Sequence, residues 1–354
     1  MQSGKVYAID LFCGAGGLTH GLQRSGIDVI AGLDLDPACE YAYTENNKTK
    51  FILADIAKVT GDDIKALWPE DGYRLLAGCA PCQVFSSYTQ AKKLTKKEKW
   101  SMVDHFLRLI KEVEPDFVTM ENVANLKKED IFSIFVETLK ELNYDVWHDI
   151  VECASYGVPQ QRKRLVLLAS RVTKIQIIPP TCNKPKTVKE AIGKLPPLEA
   201  GECSKKDILH RASTLSEVNM KRMLASKPGG TWRDWPIDIV AECHKSKTGK
   251  SYPSVYGRME WEKVSPTITT QFYGFGNGRF GHPEQNRGLS LREGAILQTF
   301  PPTYKFLKAG QEMSMRTIGR LIGNAVPVDL GAAIGKSILQ SFDPHGVGSQ
   351  YSLL

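Results

Sequence analysis

The sequence predicts an α/β fold: a doubly wound, mostly parallel sheet joined to a smaller, loop-rich second domain. Three observations lead there. Between residues 5 and 170, short apolar runs alternate with longer helical patterns. Alternation of this kind builds a parallel sheet covered by helices, with ligands at the carboxyl ends of the strands. The first apolar run ends in Gly14-Ala15-Gly16-Gly17, a turn that opens a helix. From Arg171 onward prolines and lysines multiply, as in Pro179-Pro180 and Pro196-Pro197, and the alternation stops.

Residues 6–12 are an apolar run ending in glycines, as a buried strand does. Residues 18–25 follow as a helix, 29–33 as a second strand and 37–46 as a second helix. Residues 51–53 and 75–78 are further strands. Helix 102–113 precedes strand 117–120, and helix 131–142 precedes strands 146–151 and 165–169. Residues 314–340 are helical again, around Gly323-Asn324-Ala325-Val326-Pro327. The expected division is therefore 1–170 with 310–354 as one domain and 171–309 as the other. There is no internal repeat and no low-complexity tract.

Composition bounds the class. The 354 residues are 42% hydrophobic and 24% charged, ordinary for a globular protein and enough for a core without disulfides or metal. Eight cysteines lie thinly spread, without repeated spacing, which argues against a small secreted disulfide scaffold. The start, Met1-Gln2-Ser3-Gly4-Lys5, leads directly into the first strand, and no apolar stretch could span a bilayer. The expectation is a soluble protein of the reducing cytoplasm. Lys and Arg outnumber Asp and Glu by 46 to 39, a net charge of +7. That excess suits a polyanionic partner without requiring one.

In Asp10-Leu11-Phe12-Cys13-Gly14-Ala15-Gly16-Gly17 the glycines let the backbone approach a ligand closely. A dinucleotide site would want a third glycine where Thr19 stands, so that fingerprint fails. Asp34 ends the second strand, where an acidic side chain can take the ribose hydroxyls of an adenosine ligand, and Asp55 ends the third. The alternative is a glycine turn of purely structural use. Gly78-Cys79-Ala80-Pro81-Cys82-Gln83 then follows the next strand. Cys79 and Cys82 could be a redox dithiol or half a zinc site. Cys82 could also be a lone nucleophile, with its thiolate made available near a helix start, or a buried structural cysteine. No second matching pair exists for zinc, and the element pattern is not thioredoxin-like.

Further motifs stack in order: Glu121-Asn122-Val123, Gln161-Arg162-Lys163-Arg164, Arg258 with Ser265-Pro266-Thr267-Ile268-Thr269, and Gly323-Asn324-Ala325-Val326-Pro327. Together with the glycine loop and Pro81-Cys82-Gln83, this ordered set resembles the DNA cytosine-5 methyltransferase family, most closely its bacterial restriction-modification members. The likeness spans nearly the whole chain. Cys79-Ala80 before Pro81 departs from the small residues or second proline of many members.

The resemblance implies an S-adenosylmethionine-dependent methyltransferase fold, with cofactor and catalysis in 1–170 and 310–354 and target recognition in 171–309. Phe12, Gly14 and Gly16 would line the cofactor, with Asp34 on its ribose, Leu35 against the adenine face, and Asp55 and Ile56 near the adenine. Asn324 and Ala325 would close that site. Cys82 would add to C6 of a cytosine, making C5 nucleophilic enough to take a methyl group; covalent catalysis splits one hard step into easier ones. Glu121 would contact N3 and the exocyclic amine, and needs a proton to donate to N3, which a dry site favours. Arg164, with Arg162 as second candidate, would hold O2.

The target atom lies inside the duplex stack, so the base must be flipped out at a cost of roughly a few kcal/mol. Residues 83–90 would help fill the vacated space, and Lys92, Lys93, Lys96, Lys97 and Lys99 would close over phosphates or form a solvated helix face. In the second domain, Gly229-Gly230-Thr231-Trp232-Arg233 is the best single loop for touching bases. Double-stranded DNA is the expected partner, the chain a monomer, and a cognate restriction endonuclease a possible companion. A tRNA cytosine-5 methyltransferase and a catalytically dead DNA-binding relative are the rivals. Intact Cys82, Glu121 and Arg164 argue against the second.

Overall fold

The computed structural model describes residues 4–81, 96–245 and 252–342, with backbone alone for 96–101. The chain divides into two units: 1–156 with 163–181 and 326–354, and 157–162 with 182–325.

The first unit is built on one seven-stranded sheet. Its strands are β1 (Val6–Leu11), β2 (Asp28–Asp34), β3 (Lys50–Leu53), β4 (Tyr73–Gly78), β5 (Phe117–Val123), β6 (Asp145–Glu152) and β7 (Lys163–Ser170). Their order is β3-β2-β1-β4-β5-β7-β6. β1 to β5 pair in parallel, and β7 lies antiparallel between β5 and β6. This is the doubly wound, mostly parallel sheet expected. Its inner strands β1, β4, β5 and β7 are mostly buried because helices cover the sheet. Ile9, Leu11, Leu76, Val118 and Leu167 are fully buried against Phe106 and Phe135.

The helices of this unit are α1 (Gly17–Ser25), α2 (Glu40–Asn47), α3 (Gly61–Lys65), α4 (Lys96–Val113) and α5 (Asp130–Glu141). Five residues are too few for α3 to show a helical period, but Thr60 and Asp63 close a capping box that holds it. In the second unit come α6 (Val188–Ile192), α7 (Glu217–Ala225), α8 (Glu242–Lys245), α9 (Leu291–Leu297) and α10 (Met315–Asn324). The chain then returns to the first unit as α11 (Val328–Phe342). α11 lies hard against α1: a Cβ on Gly21 would stand 2.4 Å from the Val328 carbonyl oxygen. Among the described residues no helix is long and apolar enough to cross a membrane.

The unit boundaries depart from those expected from sequence texture. Residues 171–181 stay with the sheet, because the Arg171 N–H donates to Asp116 (2.9 Å) and the Ile178 N–H to Ser337 Oγ (2.9 Å). Residues 310–325 belong to the second unit. A Cβ on Gly323 would meet the Thr269 carbonyl at 2.4 Å, and Gln298 Nε2 donates to the Ile322 carbonyl at 2.8 Å. Residues 157–162 also belong there, held by Gln160 Nε2 on the Leu297 carbonyl (2.9 Å).

The second unit is loop-rich, as expected, its strand pairing limited to isolated bridges among the described residues. Met223, Trp232, Trp235 and Phe275 form one of its apolar clusters. Arg258, 5% exposed, donates to the carbonyls of Met223, His282 and Gln285 and so ties α7 to the loop at 282–285.

Candidate active site

Strand register decides which side chains meet. Leu11 pairs with Leu33 on one side and Gly78 on the other, Gly78 with Met120, and Val123 with Arg164. The glycine loop, Asp34, Cys79 to Pro81, Glu121 and Arg164 therefore gather at one edge of the sheet, where open α/β sheets bind ligands.

At the glycine loop the chain turns through left-handed backbone at Phe12 (φ 59°), Gly14 (φ 53°) and Gly16 (φ 87°). A Cβ on Gly14 would meet nothing within 4 Å, so the space above it is open. Asp34 accepts the Gly14 N–H at Oδ2 and the Asp36 N–H at Oδ1, both at 2.9 Å. A carboxylate offers about four lone-pair sites, so acceptor capacity remains. Leu35 beside it is 67% exposed, an apolar face without cover. Asp55 accepts the Ala57 N–H (3.1 Å) and stands at the rim of a cavity of about 460 Å³ lined by Leu33, Ile52, Ala54, Val59 and Ile64. The Ile56 side chain lies in the core.

Behind the loop, Asp10 is fully buried, with Oδ1 lacking any hydrogen-bond partner. Thr19, where a dinucleotide site would have glycine, gives its hydroxyl to Asp10 Oδ2 at 2.7 Å. Burial pushes the Asp10 pKa from 3.8 up to about 7, the Thr19 hydrogen bond opposing and the Asp34 charge adding. The folded chain therefore keeps a proton that the unfolded chain has released, so stability is lost as pH rises from about 4 to about 7. At about 1.4 kcal/mol per pH unit, the loss amounts to about 4 kcal/mol. Asp10→Asn should remove it: by urea unfolding, the stability of the variant relative to the native chain should rise between pH 5 and pH 8, the buried histidines contributing equally to both.

Glu121 is 2% exposed. Arg164 Nε stands 3.0 Å from its Oε1, an ion pair without hydrogen-bond alignment, since Oε1 has no hydrogen-bond partner. Cys79 Sγ donates to Oε2 at 3.0 Å. Asn122 Nδ2 donates to the Ala80 carbonyl at 3.1 Å, fixing the segment that leads to Pro81. Cys82 and residues 83–90, with Lys92 and Lys93, lie outside the described residues, as do the side chains of Lys96, Lys97 and Lys99.

Residues 6–340 match the family model described as C-5 cytosine-specific DNA methylase. The chain belongs to that family. It is a DNA (cytosine-5)-methyltransferase. It is 52% identical over 335 residues to the Type II methylase M.HgiDII of Herpetosiphon aurantiacus, covering 93% of this chain and 94% of that protein. The Type II methyltransferase M.Eco47II of Escherichia coli is 30% identical over 355 residues, covering 96% and 81%. Among solved structures, a prophage-encoded E. coli protein described as a DNA modification methyltransferase superposes with a TM-score of 0.73 at 21% identity, covering 96% of this chain and 99% of that one. At that identity the likeness speaks for the fold.

Within this methyltransferase the structure separates residues that the sequence grouped. Arg164 reaches Glu121, whereas Arg162, 3% exposed, donates to the carbonyls of Ile268 (3.1 Å) and Ala325 (3.3 Å) inside the second unit. Arg162 is thus part of that unit's frame. Asn324 ends α10 and is exposed; Ala325 is buried, and both lie in the second unit. In the loop read as base-touching, Trp232 is buried, stacked on His244 with centroids 4.5 Å apart, and donates Nε1 to the Tyr252 carbonyl (3.0 Å). Arg233 is the exposed member, with its guanidinium 5.5 Å from the Trp232 ring. Nothing in the sequence pattern assigns a role to Asp10, or to Cys79 apart from its pairing with Cys82.

Proposed function

We propose that Cys82, Glu121 and Arg164 carry methyl transfer to a cytosine flipped out of a specific double-stranded DNA sequence. One observation carries this reading: Glu121 is a buried carboxylate, paired with Arg164, that keeps an oxygen without a hydrogen bond at the sheet edge bearing the glycine loop. A buried acceptor left open costs stability unless a ligand donor fills it, and the exocyclic amine of cytosine is such a donor. Arg164 would meet the base at O2 and offset the negative charge that develops on the ring.

S-Adenosylmethionine suits the loop beside it. Phe12, Gly14 and Gly16 would lie along it, Asp34 would take the ribose hydroxyls, Leu35 would cover the adenine, and Asp55 and Ile56 would stand near that ring. Two carboxylates at strand ends and the open space over Gly14 fit an adenosine ligand without a pyrophosphate. Bound there, it supplies an electrophilic methyl group. The Cys82 thiolate adds to C6, C5 takes the methyl group, a base removes the C5 proton, and elimination across C5–C6 releases the thiolate.

The Type II description of the two relatives supports a place as the modifying partner of a restriction endonuclease; the chain would act as a monomer, with the second unit choosing the sequence. The test is transfer of labelled methyl from S-adenosylmethionine to duplex DNA, to tRNA and to no substrate. Label is expected in duplex DNA alone; label entering tRNA but not DNA overturns the substrate. Sequencing the methylated product then gives the recognition site.

A further inference from the structure

Cys79 has no part in the reaction as set out above. Its backbone N–H donates to the Leu11 carbonyl at 3.3 Å, which seats it beside the glycine loop. Its Sγ donates to Glu121 Oε2 at 3.0 Å, while Arg164 Nε stands 3.0 Å from Oε1. One residue further along each chain, Asn122 Nδ2 holds the Ala80 carbonyl. Two adjacent side-chain contacts thus join the end of β4 to the end of β5.

We propose that Cys79 is a positioning residue for methyl transfer. Its thiol, with Arg164 on the opposite oxygen, fixes the plane in which the Glu121 carboxylate meets the target base. The last torsion of a glutamate is broad, with no strong staggered preference. A carboxylate held at one oxygen can therefore rotate, and one held at both cannot. A thiol is also a weak donor, so it orients the carboxylate while competing little with the donors of an arriving base. Misplacement of a catalytic group by even an ångström is costly in rate.

The inference rests on Glu121 acting on the cytosine. Its test compares methyl transfer to duplex DNA by the native chain, Cys79→Ala, Cys79→Ser, Glu121→Gln and the Cys79→Ala/Glu121→Gln double variant. Loss of that orientation misplaces the carboxylate, so Cys79→Ala should lower kcat by roughly ten-fold or more. The KM for DNA and for S-adenosylmethionine should stay put, and Cys79→Ser should recover most of the lost kcat. In the Glu121→Gln background the alanine substitution should cost almost nothing further, because its effect passes through the carboxylate.

A native-like kcat in Cys79→Ala, a change in KM alone, or an equal loss in both backgrounds overturns the proposal. If Cys79→Ala fails to fold, Cys79→Val against Cys79→Ser makes the same comparison between non-donor and donor, and equal kcat in the two overturns it. Lack of transfer to DNA by the native chain would instead be a failure of the reading under Proposed function.

Discussion

Cys82→Ser is expected to abolish turnover, lowering methyl transfer to duplex DNA by at least about 10³-fold, or about 4 kcal/mol of barrier. The covalent step needs an anionic nucleophile at C6. A cysteine thiol ionises near pH 8.5, within reach of a modest environmental shift, whereas a serine hydroxyl stays protonated without a dedicated base. Nothing else in the proposed site changes. Glu121 keeps Arg164 and Cys79, and Asn122 keeps the Ala80 carbonyl that precedes Pro81. Binding of DNA and S-adenosylmethionine should therefore survive, giving a dead enzyme with near-native affinities. Two measurements check this: label transfer under single-turnover conditions, and trapping on duplexes carrying 5-fluorocytosine. The native chain should form a covalent adduct that survives denaturation, and the serine variant should form none. Native turnover in Cys82→Ser would remove the covalent mechanism.

The parts of this site legible in the sequence were those encoded by local pattern. Apolar runs of strand length placed β1, β2, β4, β5 and β7 at nearly the positions observed, and glycines after β1 marked the cradle at the sheet edge. What escaped depends on pairing between distant strands. Cys79 and Glu121 are 42 residues apart and meet because β4 and β5 are parallel neighbours, a relation no window of sequence contains. Thr19 looked like an absent glycine, but its hydroxyl partners a buried carboxylate nine positions earlier. Arg162 and Arg164 stand two apart in one motif, yet β7 begins at Lys163, and only Arg164 is carried into the sheet. The domain boundary was missed for a similar reason. α10 is as regular a helix as α11, and its contacts with Thr269 and Gln298, distant in sequence, assign it to the second unit.

Arg287→Met is expected to cost the second unit about 3–5 kcal/mol, as breaking one side of a buried ion pair does. Arg287 and Glu293 are 0% and 1% exposed and joined by two hydrogen bonds of 2.8 Å. Burial alone would push the Glu293 pKa up, but the Arg287 guanidinium outweighs it and holds that carboxyl below its usual range. The same carboxylate accepts the Ser290 N–H at 2.7 Å, closing the capping box that starts α9. In the native chain burial, with the Arg287 charge adding, pushes the His282 pKa down to about 4, so near neutrality Arg287 is the countercharge that Glu293 has. The methionine variant thus leaves an unneutralised carboxylate in the core and weakens a helix start together. Arg287→Met/Glu293→Gln removes the charge and keeps a capping side chain, so it should recover part of the loss. Urea unfolding of the native chain and both variants, with limited proteolysis to report on the second unit, checks the order. A single variant as stable as the native chain, or a double variant less stable than the single, would mean that the ion pair does not hold this unit together.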